Sequence, residues 1–401
     1  MGTSAESAGR RYWLIKRVIK DGEQVSRVAR ELGFSRKTAH KWLRRYREAS
    51  QREHGVEAGL GERVRGRPIK ISAKMLDAVV QARRAHPTWG ARKLYQILPE
   101  PRPALRSLER CLARLGLTRW RKCRALRGPS LPRRPMSEAC APNDVWTMDF
   151  KGWFRTGDAQ RCDLLTVRDL FSRYGLAIEA VHGLSEQQVR ACCQRLFARY
   201  GLPWAIRVDH GSPFCSTGPY ELSRLSLWWR RLGIRVEPTR RGCPQDNGSH
   251  EQFHRVYRHE AANPPAPTLA AQIERSITWL EHYNTLRPHD ALGLKTPSHF
   301  YRKSRRRYRP LPDQPSYPSH WKVLRVNPKG YIRWKGRLRL ITQIASGLLI
   351  GLAPLSDHCR VYIDRILLGT LYPNDPGGMR QASFASSPPP SPLSPISGGN
   401  V

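Results

Sequence analysis

The sequence predicts a multidomain chain, with helical helix-turn-helix modules at the N-terminus, a central α/β layer and a small β-barrel near the C-terminus. Three observations carry that reading. Apolar residues recur at helical spacing as far as Leu117, alternate like strands from Asp144, and form short alternating runs with Lys-Gly turns from Trp321. Arg127 to Pro142 is rich in Pro and Arg and has no apolar period, so it marks a boundary. The boundaries read as 1–50 for the first module, 51–70 for a basic linker, 71–127 for a second helical module and 128–142 for the Pro/Arg linker. They continue as 143–302 for the α/β core, 303–319 for a second basic linker, 320–373 for the β-barrel and 374–401 for a disordered tail.

In the first module, "VSRVARELGFSRKTAHKWLRRYRE" places Val25, Val28, Ala29 and Leu32 on one helical stripe and Ala39, Trp42, Leu43 and Tyr46 on the next. Gly33 breaks the chain between them and Ser35 is a good N-cap. Small Ala29 lets the helices approach, and the second helix turns Ser35, Arg36, Lys37, His40 and Lys41 toward a DNA major groove. A bland alternative is a helical hairpin with a solvated basic face. The linker "RVRGRPIK" offers Arg65 and Arg67 to phosphates or a narrow minor groove. Residues 71–127 then read as two helix pairs, with His86 and Trp89 as packing and capping residues.

The central layer opens with three strands, "DVWTMDFKGWF", "CDLLTVRDLF" and "YGLAIEAV". A capped amphipathic helix, Ser185 to Gly201, follows, and "WAIRVDHG" returns to a strand that stops at Gly211. "RKSRRRYRP" is a basic linker that tracks phosphates or is merely solvated, and the Pro/Ser-rich tail is expected to be disordered.

Composition narrows the partner. Lys and Arg number 70 against 32 Asp and Glu, a formal net charge of +38, which points to a polyanion and above all to nucleic acid. The nine Cys include no C-x-x-C pair, so neither a zinc ribbon nor a secreted disulfide framework is expected, and a reduced, cytoplasmic, nucleoid-associated setting fits. The most apolar stretch, from Leu340, is interrupted by Thr, Gln, Ser and Pro and reads as core strands, not a membrane span.

Against this basic background three acids stand out. Asp149 lies inside the first strand of the layer, Asp209 at the end of the fourth, and Glu251 near the start of a helix that Asn247 is placed to cap. Asp is depleted in strands unless something there uses it. Carboxylates from two neighbouring strands and a facing helix can converge on Mg²⁺, which takes oxygen ligands. Arg255 and Arg258 follow Glu251 at i+4 and i+7 and are expected to meet the DNA backbone; the plain alternative is an exposed Glu251–Arg255 ion pair. His250, His254 and His259 read as DNA-facing or surface residues of the same helix.

At these residues the chain resembles the DDE transposases of bacterial insertion sequences, whose core is ribonuclease-H-like and shared with retroviral integrases. The matching stretches are "WTMDFKG", "VDHGSPF", "LSRLSLWWRRLGI", "PQDNGSHEQFHR" and "YNTLRPHDALGLKTP", with "HPTWGARKL" and "LERCLARLGL" resembling an N-terminal helical module. Glu251 follows Asp209 by 42 positions, similar to the subgroup whose extra residues include a Trp-rich helix. The resemblance implies that Asp149, Asp209 and Glu251 are catalytic and bind two Mg²⁺ or Mn²⁺ ions. It implies cleavage at the element's 3′ ends and strand transfer into target DNA, by a homo-multimer holding the terminal inverted repeats. Two positions depart from the family's habit: His210 stands where Asn is usual, and Gln252 where Arg is common. The rival reading is a catalytically inactive or domesticated DNA-binding protein.

Overall fold

The computed structural model describes residues 4–50, 71–118, 136–181, 183, 185–216, 222–240, 244–375 and 378–382. Arg65 and Arg67, the linker 51–70, residues 128–135 of the Pro/Arg stretch and the tail from 383 lie outside them. Two compact units emerge, Met1–Lys70 and Ile71–Val401.

In the first unit, α1 (Ser4–Ile15) runs into a π-helical turn, Lys16–Lys20, and is followed by α2 (Val25–Glu31) and α3 (Arg36–Ser50). Leu14 of α1 packs with Val28, Ala29, Ala39 and Trp42, so the helix-turn-helix stripe closes on a third helix that the pattern from Val25 leaves unread. Gly33 sits at φ +72°, a conformation that strains any residue with a Cβ, and this turn lets the Phe34 N–H donate to the Ala29 carbonyl at 2.7 Å. Ser35 caps α3: its Oγ accepts the Thr38 N–H at 3.1 Å.

The second unit begins with α4 (Ala73–Ala85), α5 (Ala91–Ile97) and α6 (Leu105–Arg114), packed around Val79, Trp89, Leu94, Leu108 and Leu112. Among the described residues these are three helices where two pairs were expected, because the Pro87–Gly90 turn and the prolines at 101 and 103 divide one apolar pattern into three. Trp89 is buried and stacks on His86 with ring centroids 3.9 Å apart.

The central sheet has the order β3-β2-β1-β4-β5, formed by β1 (Val145–Arg155), β2 (Arg161–Asp169), β3 (Gly175–Val181), β4 (Ala205–Val208) and β5 (Arg235–Pro238). Strands β1 to β3 are antiparallel, while β4 is parallel to both β1 and β5. This is the expected ribonuclease-H-like arrangement. The connections are α7 (Glu186–Tyr200), between β3 and β4, and α8 (Arg224–Arg231), between β4 and β5. The opposite face is covered by α9 (Gly248–Glu260) and α10 (Leu269–Thr285), and a short α11 (Pro297–Phe300) follows. Alternation sorts β1 between the faces: Trp146 and Met148 join the core with Phe197, Trp228 and Trp229, leaving Thr147 and Asp149 to the α9 face.

The C-terminal strands are β6 (Lys322–Arg325), β7 (Tyr331–Trp334), β8 (Arg337–Leu340), β9 (Leu349–Pro354), β10 (Cys359–Ile363), β11 (Ile366–Leu371) and β12 (Arg380–Gln381). The expected barrel does not close. Among the described residues an open sheet of order β12-β11-β10-β9-β6 stands beside a separate β7-β8 hairpin, because the edge strands β6 and β12 do not pair and β7 and β8 pair only with each other. Its core of Val326, Trp334, Ile350, Val361 and Leu368 also takes in Leu227 of α8, and Arg231 of α8 ion-pairs with Asp364.

The basic linker after α11 is laid along the core. Ser304, Arg306 and Tyr308 face inward: Ser304 N–H donates to the Tyr200 carbonyl at 2.8 Å, Arg306 donates to the Gly233 carbonyl at 2.9 Å, and Tyr308 packs on the core. Alternation leaves Lys303, Arg305, Arg307 and Arg309 exposed.

Candidate active site

Register brings two of the acids level. Thr147 of β1 pairs with Arg207 of β4, so two residues further along these parallel strands Asp149 meets the level of Asp209, just past the end of β4. Strand parity puts both on the α9 face. Immediately after Asp149 the β1-β2 register shifts between Phe150 and Trp153, with Gly152 at φ +80°, which bends the strand away beyond the acid. Asp209 is steadied by the Gly211 N–H, 3.2 Å from its Oδ1.

The third acid arrives on α9, whose sheet-facing stripe is His250, Phe253 and Tyr257, all buried. The helix start is tied down by Arg168, a buried β2 residue paired with Thr147 in register, which donates to the Ser249 carbonyl at 2.6 Å and to Ser249 Oγ at 3.1 Å. Its far end is held by Glu260, which accepts from Thr88 Oγ1 at 2.5 Å and Trp279 Nε1 at 2.9 Å and ion-pairs with Arg287 at 3.0 Å. Thus the module 71–118 and the "YNTLRPHD" segment meet on one carboxylate. In that segment Asn284 also grips the backbone of Gly175 in β3 through both amide atoms.

Glu251 lies in the first turn of α9 and is exposed, with Arg255 and Arg258 exposed on the following turns. Among the described residues no ion pair joins Glu251 to Arg255, so the plain alternative does not form. Asn247 occupies the N-cap position but does not cap with its side chain; its backbone, at φ −116° and ψ 21°, lacks the extended cap geometry, and its Oδ1 is buried without a hydrogen-bond partner.

Burial, reinforced by the charges of Asp209 and Glu251, pushes the Asp149 carboxyl up to about 7. Burial raises Asp209 as well. Among the described residues no Lys or Arg pairs with Asp149. This is excess negative charge of the kind a divalent cation relieves.

The histidines of α9 depart from expectation. His259 is exposed, but His250 is fully buried and His254 largely so, because both share the sheet-facing stripe with Phe253 and Tyr257. Burial, and then Lys151, Arg168 and Arg258, push His254 down to about 3, while burial drives His250 well below its ordinary value. Among the described residues, Asp149, His250 and His254 form the one close group of three potential metal ligands, their ligand atoms all within 4.8 Å; Asp209 and Glu251 are not in it. His210, beside Asp209, has its Nδ1 buried without a hydrogen-bond partner.

Of the expected DNA contacts, Arg36, Lys37 and His40 are exposed on α3. The Ser35 hydroxyl is engaged with Thr38, and the Lys41 ammonium leans over Trp42, 5.3 Å from the ring centroid.

The integrase core domain matches residues 139–244 and again 232–297, and the homeodomain-like domain matches residues 10–58 and 38–110. The chain is 29% identical over 239 residues to an uncharacterized 39.2 kDa protein of insertion element IS476 from Xanthomonas euvesicatoria, covering 58% of this chain and 66% of that one. It is 31% identical over 186 residues to an uncharacterized 31.7 kDa protein of insertion element IS407 from Burkholderia multivorans, covering 46% and 65%. A transposase for insertion sequence element IS904 from Lactococcus lactis is 28% identical over 186 residues, covering 45% and 69%. The first two matches span just under two thirds of those relatives' own lengths.

Proposed function

Because the chain belongs to the integrase-core family of insertion-sequence DDE transposases, we propose that it cuts the 3′ ends of its own element and joins them to target DNA. The observation that carries this reading is the level register of Asp149 and Asp209 on adjacent parallel strands, beneath the helix that bears Glu251. In this reading Asp149, Asp209 and Glu251 hold divalent metal, Mg²⁺ or Mn²⁺, two ions per site. Bound metal supplies activation of the attacking oxygen and stabilisation of the leaving one. The protein's own part is placement. Arg168 and Glu260 fix the two ends of α9, the helix that bears Glu251, while exposed Arg255 and Arg258 give the DNA backbone a cationic rail alongside. A water or a 3′-hydroxyl can be the nucleophile, so no covalent protein–DNA intermediate is involved.

End recognition is assigned to α3, through Arg36, Lys37 and His40, with the module 71–118 as a second reader and Arg65 and Arg67 between them. Two ends must be held together while each is processed, which calls for a homo-multimer on DNA. The work is done on the chromosome, in the cytoplasm.

The test is joining of a labelled duplex, carrying the terminal repeats that flank the gene, into plasmid DNA with Mg²⁺. The parent should give joined products, and Asp149→Asn and Glu251→Gln should give none while still binding the ends. Cleavage retained by either variant would overturn the site assignment. Binding without products from the parent would leave a DNA-binding protein that does not catalyse.

A further inference from the structure

Beneath Asp149 lies a closed set of hydrogen bonds that fixes where protons sit. Thr166 Oγ1 touches three groups: the Asp149 carbonyl at 2.9 Å, His250 Nε2 at 2.7 Å and His254 Nε2 at 2.7 Å. A hydroxyl has one proton and a carbonyl can only accept, so Thr166 donates to Asp149 O and both imidazoles must donate from Nε2. Each neutral ring then has a bare Nδ1. His250 Nδ1 accepts from Thr147 Oγ1 at 2.6 Å, a far shorter contact than the 3.5 Å between that hydroxyl and the Arg168 carbonyl. Both nitrogens of His250 are thereby used, and this ring acts as a brace.

His254 is different. Its bare Nδ1 stands 4.0 Å from Asp149 Oδ2. Two donors that share one ion at ~2.1 Å each lie about 3 to 4.2 Å apart, so the observed separation suits a common metal.

We propose that His254 Nδ1 is a direct ligand of the ion held by Asp149, so that this half of the site is a mixed oxygen and nitrogen site favouring manganese and later first-row ions over magnesium. This rests on the reading of Asp149 as a metal ligand. Imidazole suits softer divalent ions better than Mg²⁺, and affinity at such donors rises from Mn²⁺ toward Cu²⁺. His254 is locked for this role: Thr166 orients the ring from behind, as outer-shell partners of metal-bound imidazoles do.

The probe is Mn²⁺ alone, added to the full-length protein and read by electron spin-echo modulation, which detects ¹⁴N bonded to the ion. The parent should show imidazole ¹⁴N modulation. His254→Asn, checked for an unchanged fold by circular dichroism, should lose it and bind Mn²⁺ about tenfold more weakly, with a smaller change for Mg²⁺ measured by competition. Asp149→Asn should abolish binding. Mn²⁺ held by the parent in an Asp149-dependent way but without ¹⁴N modulation would sink the assignment of His254 and leave the carboxylate reading intact. Modulation that persists in His254→Asn would also sink it. A parent that binds no Mn²⁺ would remove both.

Discussion

At the scale of single residues, Glu260 ties three parts of the second unit together, through Thr88, Trp279 and Arg287. Its partner Arg287 is buried, and stripping a buried cation of its carboxylate costs about 3 kcal/mol or more. Glu260→Ala should therefore lower unfolding stability by about 3 kcal/mol in denaturant titration. A loss below ~1 kcal/mol, the range of an exposed pair, would show that Arg287 is not held as described. The acids of the candidate site were legible in sequence because Asp inside or at the end of a strand is unusual. His254 was not. A histidine among arginines reads as a surface residue until its spacing with Phe253 and Tyr257 is used to place it on the buried stripe, and its partner Thr166 lies 88 residues away in sequence.

At the scale of elements, two basic surfaces make separable predictions. If α3 reads the element end, Arg36→Ala with Lys37→Ala should weaken binding to the end sequence. It should also flatten the dependence of log affinity on log salt by about 2, one per lost phosphate or base-edge cation. Undiminished specific binding would remove α3 from recognition. The ribbon of Arg305, Arg307 and Arg309 alternates with inward-facing Ser304, Arg306 and Tyr308, so its cations are held in a row instead of swinging on a tether. Replacing all three by Ala should flatten the salt slope by about 3 equally for end and unrelated DNA, as backbone contacts do. Equal slopes in parent and variant would make the ribbon mere solvated charge. Elements of clear period, α3, β1, β2 and α7 among them, could be read from sequence alone. The four-residue β5 could not, since it ends in Pro238 and has too few residues to display a period. The barrel was misjudged for a related reason: alternation reports faces of strands, and closure depends on which edges meet, a long-range property no local pattern contains.

At the scale of the whole molecule, the charge of +38 and the hydrophobic architecture act separately. The charge sets affinity for polyanions and its sensitivity to salt, and has little to say about how the chain holds together. That is decided in large part by α8, eight residues long, which sends Trp228 and Trp229 into the core beneath the central sheet and Leu227 into the core of the C-terminal sheet. Leu227→Ala should cost about 2 to 5 kcal/mol, measured by denaturant titration with both sheets intact at the start; a cost under ~1 kcal/mol would mean the second core does not use it. One short helix is thus a party wall between two rooms. The sheets should melt as a single cooperative transition in calorimetry, and a chain trimmed after residue 302 should emerge not as a tidy catalytic fragment but as one with a bare leucine and an orphaned arginine, Leu227 and Arg231, inviting aggregation.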